Sequence, residues 1–485
     1  MSADRPYPNP TPERVAAFNA SVPRYAEDDP MFWEPGRLQA RRDELLQRQL
    51  GWLAAGSSYY QKVFADAGVD PTSITTTADL RRLPVTSKAD LMGDPEAFRL
   101  RLPDAGLYDL TYSTVYTTGT TTGMPTKYEY TTHDFFACLQ SGRRVAKCNG
   151  FRPGDVVVTT FPLSPLPHVS MFGPWLSMAA GVAITSAFTG MPYPEFPIHN
   201  PAASVPDLLE AVRPVGLMGI GSFLRRMAQD AAGQGRDFSS IKVVQASGEV
   251  MTARMLEHLR TNLERCGATD VHISSSYGCT ESGIGWVPAV DGGPMYSTAP
   301  DQMMLEVVDP DTHEPLPDGE QGLLLLTHLN RRGMPLLRYA MGDMTAITHE
   351  RCPETGWQGE AMLVSSGSAH VTRTSELLKV KGTLLNPQIV HQVVMETAGV
   401  LEYRMIVANA VEGDALSPDV MRIEVGLEPG VEEAEWTTTG ASALRSAVQQ
   451  ATEVTPEVSV VELSSIYDPA TEFKARRIID QRTFD

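Results

Sequence analysis

Apolar residues recur at helical spacing between Gly36 and Ala67, through LQARRDELLQRQLGWLAAGSSYYQKVFADA, and that period predicts helix. Farther along, short β-prone runs alternate with helical stretches. A β run at Val156–Thr160 is followed by a helix near Ser204–Val212 and an apolar run at Val215–Ile220. A helix at Ser222–Ala232, a strand at Ile241–Gln245, a helix at Thr252–Cys266 and a strand at Val271–Ser274 complete the series. Such alternation marks βαβ units and a mainly parallel sheet. From Gly283 onward the signal shifts to hairpins, with GEQGLLLLTHL (Gly319–Leu329) the clearest strand. The last ~110 residues hold a short β-rich piece, a helix around Ala441–Ala451 and a closing strand at Val458–Leu463, enough for a small α+β domain. Residues 1 to about 35 are Pro-rich and polar, an arm expected to lie over the body. No internal repeat is present.

Composition narrows the classes of function. The 485 residues are 42% hydrophobic and 20% charged, ordinary globular usage in a chain long enough for several structural units. A net charge of −19 repels phosphate backbones and anionic lipid, so nucleic acid and membrane are excluded as expected partners. A small anion remains admissible, because local amides and one or two cations suffice to hold it. Five cysteines without a C-x-x-C pair read as a reduced intracellular set. The opening MSADRPYPNPTPER has no apolar stretch for a secretory h-region, and the run Pro174–Phe188 is too broken to span a bilayer. A cytoplasmic location is expected.

Five segments carry the candidate chemistry. Tyr116–Lys127 holds Thr117, Thr118, Gly119, Thr120, Thr121, Thr122, Gly123 and Thr126 between two β-prone runs. That composition makes a hairpin-like loop dense in amide and hydroxyl donors, suited to phosphate oxygens, although no G-K-[ST] closes it as in a Walker loop. An ordinary Thr-rich turn is the bland alternative. In Ser274–Ser282, Ser276, Tyr277, Gly278, Thr280 and Glu281 follow a strand, where ligands bind in α/β sheets, and Glu281 could hold Mg²⁺ on phosphate oxygens. Leu337–Asp343 offers Asp343 to ribose hydroxyls. Taken singly, either acid is as well explained as a cap or turn residue. The remaining two segments, Thr372–Gly382 and Asp468–Asp480, carry cations including Arg373 and Lys474 in short loops.

In this order, the five segments resemble the adenylate-forming superfamily of acyl-CoA synthetases, adenylation domains and luciferases, and within it the phenylacetate-CoA ligase group. Leu83–Leu91 looks like that group's lead-in to the phosphate loop, Phe161–His168 like its gate beside the substrate carboxylate, and Gln245–Glu249 like the segment bordering adenine. The resemblance implies an α/β fold, with a large N-terminal domain of mainly parallel sheets and helices over 1–374 and a small mobile α+β C-terminal domain over 375–485. It implies ATP, Mg²⁺ and CoA as cofactors and a small carboxylic acid, aromatic or arylalkanoic, as substrate; a homodimer is compatible with it. By the same resemblance Thr117–Thr126 would hold the β- and γ-phosphates, and Ser247, Gly248 and Glu249 would border the adenine. Ser276, Tyr277 and Gly278 would line the nucleotide, Thr280 would contact the α-phosphate, and Glu281 would serve the metal. Asp343 would bind ribose, Arg373 would neutralise phosphate or ribose contacts, His168 would gate the acid, and Lys474 would bridge carboxylate and α-phosphate. An anionic carboxylate attacking an anionic phosphate needs such cations.

Four departures from the family pattern stand out. Three residues separate Gly119 from Gly123, one more than usual, and Met124 and Thr126 flank Pro125 in the same loop. The hinge position is Ser375–Glu376, with Thr372 where a Gly precedes the Arg, and Phe473 replaces the Gly before the terminal Lys. Cys266, His272, Cys352 and Glu354 have residue types that could bind zinc, but buried free thiols and a strand-edge His explain them equally, and that reading is preferred. Two alternatives to CoA ligation stay open. One is an adenylating enzyme whose second step makes an amide or activates another oxyanion such as nitrite; the other is a non-catalytic nucleotide-binding relative.

Overall fold

A computed structural model describes residues 29–103, 105–117, 126–161, 179–189, 200–289, 293–363, 372–373, 378–380, 383–411, 413–414, 417–469, 472 and 474–482. The helical period after Gly36 resolves into two helices, α1 (Pro35–Gly56) and α2 (Ser58–Ala67). Ser57 separates them, its hydroxyl accepting from the Tyr60 amide to cap α2. The strands β1 (Thr111–Tyr116) and β2 (Lys127–Thr131) form an antiparallel hairpin, and β2 leads directly into α3 (Thr132–Cys148).

The expected alternation follows as β3 (Val156–Thr159), β4 (Ala183–Ser186), α4 (Val205–Val212), β5 (Gly216–Ile220), α5 (Gly221–Gly233), β6 (Val243–Ser247), α6 (Ala253–Arg265) and β7 (His272–Gly278). These strands lie parallel in the order β4-β3-β5-β6-β7. The sheet then continues antiparallel through β8 (Gly285–Pro288) and β9 (Met295–Ser297). Strands β3 and β5, inside the parallel block, read as nearly unbroken apolar runs because they face protein on both sides. Leu217, Leu224 and Leu259, on β5, α5 and α6, are fully buried in one cluster, and each contributes on the order of 2 kcal/mol.

A second sheet holds β10 (Met303–Val308), β11 (Gly322–His328) and β12 (Tyr339–Thr345). The two-residue strands β13 (Ile347–Thr348) and β14 (Ala361–Met362) return to extend the first sheet beyond β9, and β15 (Thr372–Arg373) pairs with β12. Toward the C-terminus, β16 (Leu378–Val380) and β17 (Thr383–Leu385) form a hairpin before α7 (Pro387–Met395). A separate sheet follows, from β18 (Val400–Asn409), β19 (Asp419–Leu427), β20 (Glu457–Val460) and β21 (Ile478–Asp480), in the order β20-β19-β18-β21. The fold is thus α/β with a distinct α+β piece at the C-terminal end.

Two sequence expectations shift here. The helix foreseen at 441–451 is α8 (Glu433–Thr452), which begins eight residues earlier. Thr437, Thr438 and Thr439 blur its period, yet Thr438 and Thr439 return their hydroxyls to the Ala434 and Glu435 carbonyls and fit the helix. The strand at 457–460 does not close the chain, because β21 pairs parallel to β18 at the opposite edge.

One carboxylate ties α3 to the segment that leads into β12. Asp134, fully buried, accepts from the Thr131 amide at 3.0 Å, completing a capping box, and from the amides of Arg332 and Gly333 at 2.8 Å each. Asp134→Ala strands two buried amides and a part-buried one, so it is expected to lower unfolding free energy by on the order of 3 kcal/mol, read by urea titration, whereas Asp134→Asn should recover part of the loss.

Candidate active site

Strand β7 runs to Gly278, four residues past its expected end, so Ser276 and Tyr277 are strand residues and Thr280 and Glu281 occupy the turn just beyond. That turn sits at the carboxyl end of the last parallel strand, the position where open α/β sheets bind ligands. Its backbone is held from several sides. Tyr130 of β2 donates its hydroxyl to the Thr280 carbonyl, and the Ser282 hydroxyl donates to the carbonyls of Cys279 (2.9 Å) and Ile284 (3.0 Å). The Arg331 guanidinium donates to the Ser282 carbonyl and lies over the Tyr130 ring, 4.9 Å from its centroid. Gly283 has φ +63°, and a Cβ there would meet the Tyr130 hydroxyl at 2.5 Å, so only glycine serves.

The two acids of the site each receive a tyrosine hydroxyl. Tyr339 donates to Glu281 Oε1 at 3.0 Å, and Tyr277 donates to Asp343 Oδ2 at 2.5 Å. Glu281 and Asp343 are buried. Glu281 Oε2 makes no hydrogen bond among the described residues, which leaves one oxygen of a charged group for a cation. Asp343 is not a turn residue; it lies within β12, where it pairs in register with Arg373 of β15. The Tyr277 ring meets Trp286 edge-on at 5.9 Å. Burial pushes the neighbouring Cys279 thiol up to about 12, so it supplies no thiolate beside Glu281.

The hairpin β1–β2 frames the Thr-rich loop. Thr117 and Thr126 close its neck through the Thr117 amide to the Thr126 carbonyl (3.0 Å) and the Thr126 amide to the Thr117 hydroxyl (2.9 Å). Thr126 Oγ1 is buried and has no hydrogen-bond partner among the described residues. Thr118, Gly119, Thr120, Thr121, Thr122 and Gly123 lie outside the described residues, as does His168. The Ser375–Glu376 hinge also lies outside them.

Ser247 ends β6, in register with Ser276 of β7, and the chain turns at Gly248 with φ +83°. Glu249, expected beside the nucleotide, has a side chain engaged within the protein. Its carboxylate, 6% exposed, accepts from the Ser222 amide and binds Arg477 at 2.5 Å. Arg477, three residues after Lys474, also makes a two-bond pair with Glu402 at 2.7 and 2.9 Å. Desolvation works to raise the Glu249 carboxyl, but the Arg477 charge and the hydrogen bonds from Arg477 and Ser222 outweigh it and hold it below the usual carboxylate range. Sequence reasoning gave Arg477 no role, although its spacing from Lys474 was the available signal; Tyr130, Tyr339 and Arg331 went equally unremarked.

The cysteine and histidine set considered for zinc is dispersed. Cys266 packs in the cluster beneath the parallel strands, whereas Cys352 packs with Tyr296 and Trp357 and donates to Glu354 at 3.3 Å. Among the described residues no three His, Cys, Asp or Glu side chains gather as a metal site, and no helix is long and apolar enough to cross a membrane.

A family model described as AMP-binding enzyme matches residues 67–330, and one described as AMP-binding enzyme C-terminal domain matches 382–482. The chain is similar to phenylacetate-coenzyme A ligase of Thermus thermophilus, 26% identical over 407 residues that cover 80% of this chain and 82% of the relative. Phenylacetate-coenzyme A ligase of Aromatoleum evansii is 25% identical over 468 residues, 92% and 98% of the two chains. Among solved structures, 2-hydroxyisobutyryl-CoA ligase in its postadenylation state superposes with a TM-score of 0.76 at 19% identity, covering 95% of this chain and 94% of that one.

The tyrosine–acid pairs set an order of stabilities for the ligand-free protein. Tyr339→Phe strips a buried carboxylate of its donor and is expected to cost about 1 to 3 kcal/mol. Glu281→Gln keeps an acceptor for the Tyr339 hydroxyl and should melt within a few degrees of the parent. Thermal melts of the two variants side by side check the order, and a reversed order would show that Glu281 gains nothing from Tyr339.

Proposed function

The chain belongs to the AMP-binding enzymes, and from that premise we propose that it is an ATP-dependent carboxylate–CoA ligase that forms AMP. A carboxylate oxygen attacks the α-phosphorus of ATP, the bond to the β-phosphate oxygen breaks, and pyrophosphate leaves. The CoA sulfur then attacks the acyl carbon, its proton is released, and AMP departs. The acid is aromatic or arylalkanoic; the resemblance of the whole chain to phenylacetate-coenzyme A ligases supports that class.

One observation supports the reading above all: Glu281 and Asp343, each oriented by a tyrosine, flank Cys279 beyond β7, on a turn that Tyr130 ties to β2 of the hairpin carrying the Thr-rich loop. A mixed ligand fits those groups, with phosphates toward the loop, a ribose toward Asp343 and a divalent cation toward Glu281. The Thr126 hydroxyl, buried and without a partner among the described residues, suits a phosphate oxygen, and the second oxygen of Glu281 suits Mg²⁺, a hard cation that takes oxygen ligands. Mg²⁺, when bound, would offset phosphate charge as the carboxylate approaches. Within this reading Thr280 contacts the α-phosphate, Arg373 neutralises phosphate or ribose contacts, and His168 gates the acid. The two domains, 1–374 and 375–485, reorient between the half-reactions around Ser375–Glu376. Lys474 brings a compact charge to the carboxylate and α-phosphate during the first of them.

Pyrophosphate exchange with ATP, run over aryl, cinnamyl and short aliphatic acids, tests the first half-reaction, and exchange with none of them would end this reading. Mass analysis of products with and without CoA separates thioester formation from amide formation or activation of another oxyanion.

Lys474→Ala should slow adenylate formation by a factor on the order of 10² to 10³, as for loss of one preorganised electrostatic donor, and spare thioester formation from a supplied acyl adenylate. Equal losses in both half-reactions would give Lys474 another role. Glu281→Gln should raise the Mg²⁺ concentration needed for half-maximal exchange, because it removes the charge a hard cation requires; an unchanged Mg²⁺ titration would remove Glu281 from the metal's surroundings.

A further inference from the structure

Arg477 faces two carboxylates that belong to different parts of the molecule. Glu402 lies on β18, in the same sheet as β21, so that pair stays within the C-terminal piece. Glu249 follows β6 in the large sheet, and its bond to Arg477 crosses between the two. The arginine is 11% exposed, and Glu249 and Glu402 are 6% and 5% exposed. Around this ion group the other crossing contacts are polar. Arg225 donates to the Leu401 carbonyl at 2.8 Å, His391 meets the Val250 carbonyl at 3.2 Å, and Arg254 pairs with Glu428 at 2.7 Å. An apolar contact accompanies them: among the described residues before β7, Met251 and Met255 pack with the C-terminal cluster.

An interface of this composition suits surfaces that part and rejoin. Each partner also has somewhere to go when the crossing bond breaks. Arg477 keeps both bonds to Glu402, and Glu249 keeps the Ser222 amide, so separation leaves no charge wholly unanswered. The consequence for Lys474 follows from chain distance. Two residues separate it from Arg477, whose carbonyl accepts from the Met405 amide at 2.7 Å where β21 begins to pair with β18. Arg477 therefore fixes the end of the Lys474 loop, and Glu249 fixes Arg477 two residues beyond the carboxyl end of β6, the strand next to β7 and its Glu281 turn.

We infer that Glu249, Arg477 and Glu402 form a latch that moors the Lys474 loop to the carboxyl edge of the parallel strands, and that Glu249 and Arg477 are positioning residues for adenylation. The inference rests on the ligase reading for its kinetic consequence, while the latch itself exists without substrate. It is made in the domain arrangement described here and released when the C-terminal piece turns away. Glu249 thus acts through Arg477, and touches neither nucleotide nor acid.

Arg477→Ala would bury two unpaired carboxylates and risks misfolding, so the informative variant is Glu249→Gln, which weakens only the crossing bond. Pyrophosphate exchange should fall about 10-fold or more, within the range of ordinary coupling between sites, while thioester formation from a supplied acyl adenylate stays within about 2-fold of the parent. In the ligand-free protein, amide exchange should quicken at 247–251 and 475–477 and remain unchanged in β18 and β19. Glu402→Gln, which weakens the bond inside the C-terminal piece, should instead quicken exchange in β18 and lower both half-reactions. The inference is overturned if Glu249→Gln lowers both half-reactions equally, if amide exchange at the facing segments is unaltered, or if Glu402→Gln produces the same split. A parent enzyme that exchanges pyrophosphate with no acid would defeat the ligase reading alone, and the amide-exchange comparison would still decide whether the latch exists.

Discussion

A carboxylate withdrawn from water must find a donor or lose its charge, and four of them organise this molecule. Asp134 takes three backbone amides, Glu281 and Asp343 take one tyrosine hydroxyl each, and Glu249 takes an arginine and an amide. The first of these joins α3 to the segment carrying Arg331, and Arg331 in turn grips Ser282 and covers Tyr130. Strand β2, the Glu281 turn and the approach to β12 are therefore joined by one continuous set of polar contacts. Preorganisation of this kind lets a site stabilise developing charge without rearranging as the reaction proceeds.

Much of the fold was legible because local periodicity and burial agree along the parallel block. The runs at β3, β5 and β6 and the helices α4, α5 and α6 announce themselves as apolar strands and amphipathic turns. Where local signals conflict, the reading slipped: three consecutive threonines hid the start of α8, and Ile478 and Ile479, two apolar residues beside charged ones, were too short a run to mark β21. For the site, the order of motifs pointed to Glu281, Asp343 and Lys474, since residue type and position along the chain suffice for that. The pairings that orient them were invisible. Tyr339 and Glu281 lie 58 residues apart, Tyr277 and Asp343 lie 66 apart, and Glu249 and Arg477 lie 228 apart, distances over which a single sequence carries no contact information. The partner of Glu249 was invisible for the same reason: its neighbours in sequence suggest a nucleotide, and they say nothing of the arginine that meets its side chain in space.

The parallel pairing of β21 with β18 has a bearing on how this chain can vary. Met405 stands opposite Ile478 and Val407 opposite Asp480, so the register of the strand is set from one side only, at the edge of its sheet. One residue inserted between Lys474 and Ile478 would advance the backbone by about 3.3 Å and exchange the faces of the strand. Either the two isoleucines would trade places or the lysine would be displaced by more than a hydrogen-bond length. Surface loops elsewhere can lengthen at little cost, since closure entropy grows slowly with length. The interval between Lys474 and Ile478 has no such freedom, so within the family its length is expected to drift far less than the identities of the residues that fill it.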